Sequence, residues 1–274
     1  LKQLLNRLPS QFKIESERDI RIEYEKINSC RDLDFGDDVA IFLDMKEDNY
    51  FKTTLLGLAI SNGKKHYYLS YEDLIIDSDL KRMMEDDKVC KTCFDAKALI
   101  VAFSRININV KGIVFDLLLA SYLLDSTLEN NVDSILNYFG VDAHGKNDSE
   151  LSLFDESNPL RTTKVAYLTI KLRPRVLEEL KKYEALELYQ TIELPLALVL
   201  ADMEIEGFPL DAQALNRIGS QYRERLDILT SEIHDLAGEE LNINSPKQVA
   251  DLLYNKLNLK GNRKDSTSGD ALKK

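Results

Sequence analysis

The feature that most limits what this chain can fold into is a change of period along its length. Strand-like apolar runs at 39–43, 53–60 and 66–69 come first, each bounded by Asp, Asn or Gly. Asn62-Gly63, between the second and third runs, is a strong hairpin signal because both residues tolerate the positive φ of a tight turn. An antiparallel meander is therefore expected to open the fold. Helical spacing follows at 78–87 and 95–105, with short strand-like runs at 88–91 and 112–115 set between and after. A hairpin followed by alternating strands and helices implies an α/β layer, a mixed sheet with flanking helices. Asp116 stands where a helix N-cap is expected, just ahead of the apolar run 117–124.

Beyond Val132 nearly everything reads as helix, apart from a polar stretch at 142–159 that reads as a loop. Pro174 is expected to break the helical run 163–188. A further run from Leu194 to Glu206 is stopped by Gly207 and Pro209. Asp211 then caps a long helix that ends at Gly238. Its Leu215, Ile218, Tyr222, Leu226, Leu229, Ile233 and Leu236 recur every three or four residues. Such a stripe is expected to pack on neighbouring helices, with a partner-binding coiled coil as the alternative. Ser245-Pro246 opens another helix, as cap and first helical position. The chain thus divides into an α/β part and an all-α part, and 274 residues suffice for two cores.

Composition narrows the classes. A hydrophobic fraction of 44% and a charged fraction of 30% fit a folded globular chain rather than a disordered one. The most apolar stretch, 110–124, is broken by Lys111 and Asp116 and falls short of the ~20 residues a membrane span needs. The opening Leu1-Lys2-Gln3-Leu4-Leu5 has no initiator Met and no signal-peptide core, so a cytoplasmic protein cut from a longer chain is expected. Cys30, Cys90 and Cys93 are an odd set, and the CxxC spacing of the last two lacks the second pair that zinc requires. His66, His144 and His234 are dispersed, with no nucleophile arrangement around them. A net charge of -11 opposes phosphate binding overall. Yet residues 247–274 hold seven basic residues against three acidic ones, a local excess of four positive charges.

Several motifs in order carry a family resemblance. Glu193-Leu194-Pro195-Leu196-Ala197, Leu200-Ala201-Asp202-Met203-Glu204 and Gly207-Phe208-Pro209-Leu210-Asp211 resemble the start of the polymerase domain of family A DNA polymerases, the family of bacterial DNA polymerase I. Residues 234–248 resemble its thumb, Ser266-Thr267-Ser268 the motif near the thumb tip, and 115–125 the segment after its second exonuclease motif. The resemblance implies a ribonuclease H-like 3′-5′ exonuclease domain at 1–188. It also implies the opening thumb helices of the polymerase domain at 189–274, with palm and fingers outside this sequence.

In that family two metal ions, held by carboxylates, activate a water and stabilise the leaving oxygen. The first motif, Asp-X-Glu, reads Asp44-Met45-Lys46 here. The Asp of the second falls on Leu99, and the Tyr and Asp of the third fall on Arg161 and Val165. Of four carboxylates only Asp44 is left. The resemblance therefore implies an inactive exonuclease domain with no cofactor of its own, within a polymerase that uses Mg²⁺ to copy DNA in replication and repair. Asp44 itself, at a strand end, is expected to be solvated or turn-forming. The alternative is a divergent metal-dependent exonuclease recruiting Glu47 or Asp95 around Asp44.

At the other end Asn242, Asn244, Ser245 and Lys247 lie at or near a helix N-terminus, where free N–H groups and the helix dipole favour a phosphate. By resemblance they contact a primer-template backbone, with Lys260, Arg263, Lys264 and Ser266 extending the contact. Such contacts position a duplex without reading its sequence. From the residues alone, Asn244 and Ser245 could equally cap the helix, with the lysines solvated. The implied partners are primer-template DNA and the palm and fingers of the same polymerase, with no membrane, at the nucleoid of a bacterial cytoplasm.

Overall fold

The computed structural model describes residues 20–31, 33, 35–36, 38–47, 49–142, 157–259 and 266–272. It holds two compact units, one ending at Gly207 and the other beginning at Phe208. The family boundary expected between 188 and 189 thus falls inside the first unit.

Glu25–Lys26 (β1), Asp38–Met45 (β2), Leu55–Ser61 (β3), His66–Ser70 (β4), Cys90–Cys93 (β5) and Ile113–Asp116 (β6) form one sheet in the order β1-β4-β3-β2-β5-β6. β2, β3 and β4 make the antiparallel meander. β5 runs parallel to β2 and to β6, and β1 runs parallel to β4, so the sheet is mixed as expected. At the hairpin, Asn62 Oδ1 accepts from the amides of Lys64 and Lys65 at 3.1 and 2.8 Å while Gly63 takes a φ of 82°. The strand expected at 88–91 begins instead at Cys90, because Asp86 Oδ1 accepts from Lys88 N at 2.9 Å and holds the preceding residues in a turn.

Helices of the first unit are Tyr71–Ile76 (α1), Ser78–Glu85 (α2), Ala96–Ser104 (α3), Leu117–Leu124 (α4), Val132–Tyr138 (α5), Pro159–Lys182 (α6), Leu186–Leu188 (α7) and Leu194–Glu206 (α8). Most of the polar stretch at 142–159 lies outside the described residues. Pro174 does not break α6. Leu168, Leu172, Val176 and Leu180 are buried on either side of it, and this packed face carries the helix past the missing hydrogen bond. The chain turns only after Lys182, where Glu184 adopts a φ of 59°. Between α7 and α8 the backbone widens into a π-helical turn, Tyr189–Glu193, just before Pro195.

Strand parity separates the two faces of the sheet. Val39, Ile41 and Leu43 of β2 join Leu58, Ile60 and Leu69 in a core covered by α1, α2 and α3 and by Ala201 of α8. The alternate residues Ala40 and Ala59 meet Ala166 of α6 and Tyr68. Small side chains on this face let α6 approach closely, and parity places Asp44 on the same face. A second core joins α4, α5 and α6 around Phe115, Val165 and Tyr189.

The second unit contains Ala212–Ala237 (α9), Pro246–Ala250 (α10) continued as a π-helical Asp251–Lys256, and Gly269–Leu272 (α11). Asp211 caps α9 through Ala214 N at 2.8 Å, and Gly238 ends it in the left-handed conformation. The expectation that the apolar stripe of α9 packs on neighbours is not met. None of its residues is buried, and exposure along the stripe runs from 36% at Leu229 to 85% at Leu236. The reason is length: among the described residues, no other helix of this unit is long enough to cover 26 residues.

Candidate functional site

Because β2, β5 and β6 run parallel, their C-terminal ends share one edge of the sheet, and Asp44, Asp95 and Asp116 all sit along it. Asp44 is not the solvated residue expected of a strand end. It is 7% exposed, and its Oδ2 accepts from the Tyr68 hydroxyl at 2.9 Å and from the Ser157 hydroxyl at 2.7 Å. The two hydroxyls are 2.9 Å apart. Gly57, the β3 partner of Asp44 across the ladder, leaves the room for this: a Cβ there would collide with the Tyr68 hydroxyl and the Leu69 carbonyl. Burial, with the facing Asp44 charge, pushes the Tyr68 pKa up and keeps its hydroxyl protonated as a donor.

The other family positions are dispersed. Lys46 is exposed at the strand exit, its amide bonded to Thr54 O at 3.1 Å. Leu99 is a core residue of α3, 2% exposed. Arg161 pairs with Asp133 at 2.9 Å, and Val165 is fully buried in α6. Glu47 is exposed, its amide bonded to Thr53 Oγ1.

Asp95 and Asp116 have structural partners. Asp95 caps α3, accepting from Ala98 N at 2.9 Å. Asp116 caps α4 as expected, accepting from Leu119 N at 2.9 Å, and also accepts from Ala96 N at 2.7 Å, so it joins two helix starts. Its own amide donates to the buried Tyr189 hydroxyl at 2.7 Å. Burial first, then the nearby Asp95 charge, raise the Asp116 pKa to about 7, while backbone amides pull the other way. Burial raises that of Asp95 as well, with Glu204 adding to it against the opposing pull of amides and Lys97. Among the described residues no three His, Cys, Asp or Glu side chains come together as a metal site would require.

Next to this edge, α8 is fastened to the α/β layer. Ala201 is fully buried, Lys97 of α3 pairs with Glu204 at 2.9 Å, and the Tyr50 hydroxyl donates to Glu204 at 3.0 Å. Arg105 holds the Tyr50 loop through the carbonyls of Tyr50 and Thr53 at 3.0 and 2.9 Å. Tyr68 and Ser157 carry no local sequence signal, and the motif at 200–204 marks Glu204 without indicating its partners. Gly57, a glycine inside a strand run, was the available hint of close approach.

In the second unit, Asn242, Asn244 and Lys247 are exposed, and Ser245 caps α10 through Gln248 N at 3.4 Å. Gln248 Oε1 accepts from Asn242 N at 2.8 Å, and Asn242 Oδ1 from Asn244 N at 3.0 Å, so this turn is tied locally while its side chains face outward. The Ser266 carbonyl accepts from the Tyr254 hydroxyl at 2.6 Å. Lys260, Arg263 and Lys264 lie outside the described residues.

The family described as DNA polymerase I, ribonuclease H-like domain, matches residues 41–150, and DNA polymerase family A matches residues 212–274. DNA polymerase I of Geobacillus stearothermophilus is 31% identical over 92% of this chain and 30% of its own length. That of Bacillus subtilis (strain 168) is 31% identical over 99% of this chain and 32% of its own. The chain thus spans about a third of the length of these relatives. Among solved structures, the POL domain of Pol1 from M. smegmatis, in complex with DNA primer-template and dNTP, matches with a TM-score of 0.64. That likeness covers 87% of this chain and 41% of that one at 20% identity, and so bears on the fold alone.

Proposed function

The chain belongs to the family A DNA polymerases, and on that premise we propose that its first unit is a proofreading-type domain without metal chemistry, serving as a scaffold. The observation that carries this reading is the chemistry of the motif positions. Lys46, Leu99, Arg161 and Val165 offer a cation no oxygen ligand, and the one carboxylate, Asp44, is already engaged by two hydroxyls. A pair of divalent ions does not fit these residues. What the unit does instead is support α8, through buried Ala201 and the Lys97–Glu204 pair.

The second unit, on this reading, is thumb: Asn242, Asn244, Ser245 and Lys247, with Ser266, Lys260, Arg263 and Lys264, hold the backbone of primer-template DNA. The exposure of the first two and of Lys247 supports this role. The whole polymerase, with the palm and fingers that the family carries outside this sequence, copies DNA with Mg²⁺ in replication and repair at the bacterial nucleoid. No helix among the described residues is long and apolar enough to cross a membrane.

The test is digestion of a 3′-labelled single-stranded oligonucleotide with Mg²⁺ and then Mn²⁺, comparing the chain with Asp44→Ala. No release by either protein is expected. Release that Asp44→Ala abolishes would overturn the proposal in favour of a rearranged carboxylate set with Glu47 or Asp95.

A further inference from the structure

We infer that Asp44 is now the acceptor of a hydroxyl latch, in which Tyr68 and Ser157 occupy the carboxylate oxygen a cation would need and tie the start of α6 to the sheet. This rests on the reading above that the metal ions are gone. A buried carboxylate without a counter-ion is costly unless hydrogen bonds to its charged form replace the lost hydration. Two hydroxyl donors converge here on one oxygen, Oδ2, at 2.9 and 2.7 Å.

The donors come from different parts of the unit. Tyr68 lies on β4, 24 positions from Asp44, and Ser157 lies 113 positions away, just before Asn158, the N-cap of α6. Asn158 in turn accepts from Arg161 N at 3.0 Å through Oδ1 and from Thr162 N at 2.9 Å through its carbonyl. The latch therefore fixes the residue next to the cap that closes the first turn of a 24-residue helix. Gly57 completes it, since only a residue without Cβ leaves the Tyr68 hydroxyl its position beside Asp44.

The experiment is hydrogen exchange, read by mass spectrometry on the full chain, in wild type, Asp44→Ala and Asp44→Asn, with circular dichroism as a check of folding. Peptides covering 159–165 are expected to exchange about tenfold faster in Asp44→Ala, the equivalent of one lost buried acceptor. Asp44→Asn, whose amide oxygen can still accept both hydroxyls, should stay close to wild type. Should Asp44→Ala fail to fold, the double variant Tyr68→Phe/Ser157→Ala carries the same expectation with little change of shape.

Unchanged exchange at 159–165 in the alanine or double variant would overturn the latch. So would protection of that segment by millimolar Mn²⁺ in wild type but not in Asp44→Ala, which would make a cation the partner of the carboxylate. The nuclease assay is a separate readout: oligonucleotide release would sink the inactive-domain reading, while the exchange difference speaks only to the latch.

Discussion

Two regions of the molecule, one in each unit, treat polar groups in opposite ways. Along the C-terminal edge of the sheet, Asp44, Asp95 and Asp116 accept from hydroxyls or helix-start amides. In the turn before α10, Asn242, Asn244 and Lys247 are exposed, with local hydrogen bonds shaping the backbone beneath them. The first arrangement suits stability, because buried charge must be met by donors. The second suits weak contact with a charged polymer, because solvated side chains can exchange water for phosphate at little cost. Family models match both regions, yet the carboxylates of the first are engaged within the fold while Asn242, Asn244 and Lys247 of the second are exposed.

Overfilling the closed edge should have the largest effect. Gly57→Ala places a methyl group against the Tyr68 hydroxyl and the backbone carbonyl of Leu69, and the carbonyl cannot retreat without moving β4. A loss of about 3 kcal/mol is expected from urea denaturation, the upper end of what overpacking costs. A loss below about 1 kcal/mol would mean that the edge is looser than its hydrogen bonds imply, and the contrast with the turn before α10 would weaken.

A second measurement sharpens the contrast through pH. The folded-state pKa of Asp116, about 7, lies above the ordinary 3.8, so the native state holds a proton that the unfolded chain gives up. Stability from this group is complete below about pH 4, falls as pH rises and is flat above about 7, at no more than about 1.4 kcal/mol per unit of displacement. Asp95 is displaced the same way and adds to the slope, while Cys93 and Tyr189 nearby are raised and stay protonated throughout. Asp116→Asn should flatten the curve between pH 4 and 7. It should also lose about 1 kcal/mol at pH 5, since an amide can accept from Leu119 N or Ala96 N but not from both. Denaturation curves at pH 4.5, 5.5 and 7 decide it, and a slope unchanged by the substitution would remove Asp116 as its source.

How much of this was legible depended on range. Asn62-Gly63, Asp116, Asp211, Gly238 and Ser245 act on residues within a turn of themselves, and each turn or cap is where its local chemistry puts it. Pro174 misled because its local effect is overridden by a buried face on both sides. The stripe of α9 has the right period for packing, but period says only that a face is apolar, not that a neighbour is long enough to cover it. The Asp44 latch and the Glu204 clasp join residues 24 to 154 positions apart, and no spacing rule reaches that far. Family motifs located Asp44, Lys46, Leu99, Arg161 and Val165. The hydroxyls that meet Asp44 appeared only with the packing.

The open end should show the smallest effect on the fold and the clearest one on binding. Lys247 is exposed, so Lys247→Ala should leave the unfolding midpoint within about 0.5 kcal/mol of wild type. If its ammonium neutralises one phosphate, binding to a primer-template duplex should lose its salt dependence in proportion. The slope of log K against log salt should fall by about 0.9 when Lys247 is removed, and by the same amount for any duplex sequence. Fluorescence anisotropy with a labelled duplex at a series of salt concentrations measures it. Asn244→Ala, which removes a neutral side chain, should weaken binding without changing that slope. An unchanged slope in both variants would place the phosphate contact elsewhere, and an altered midpoint in either would mean that this turn, like the sheet edge, is committed to the fold.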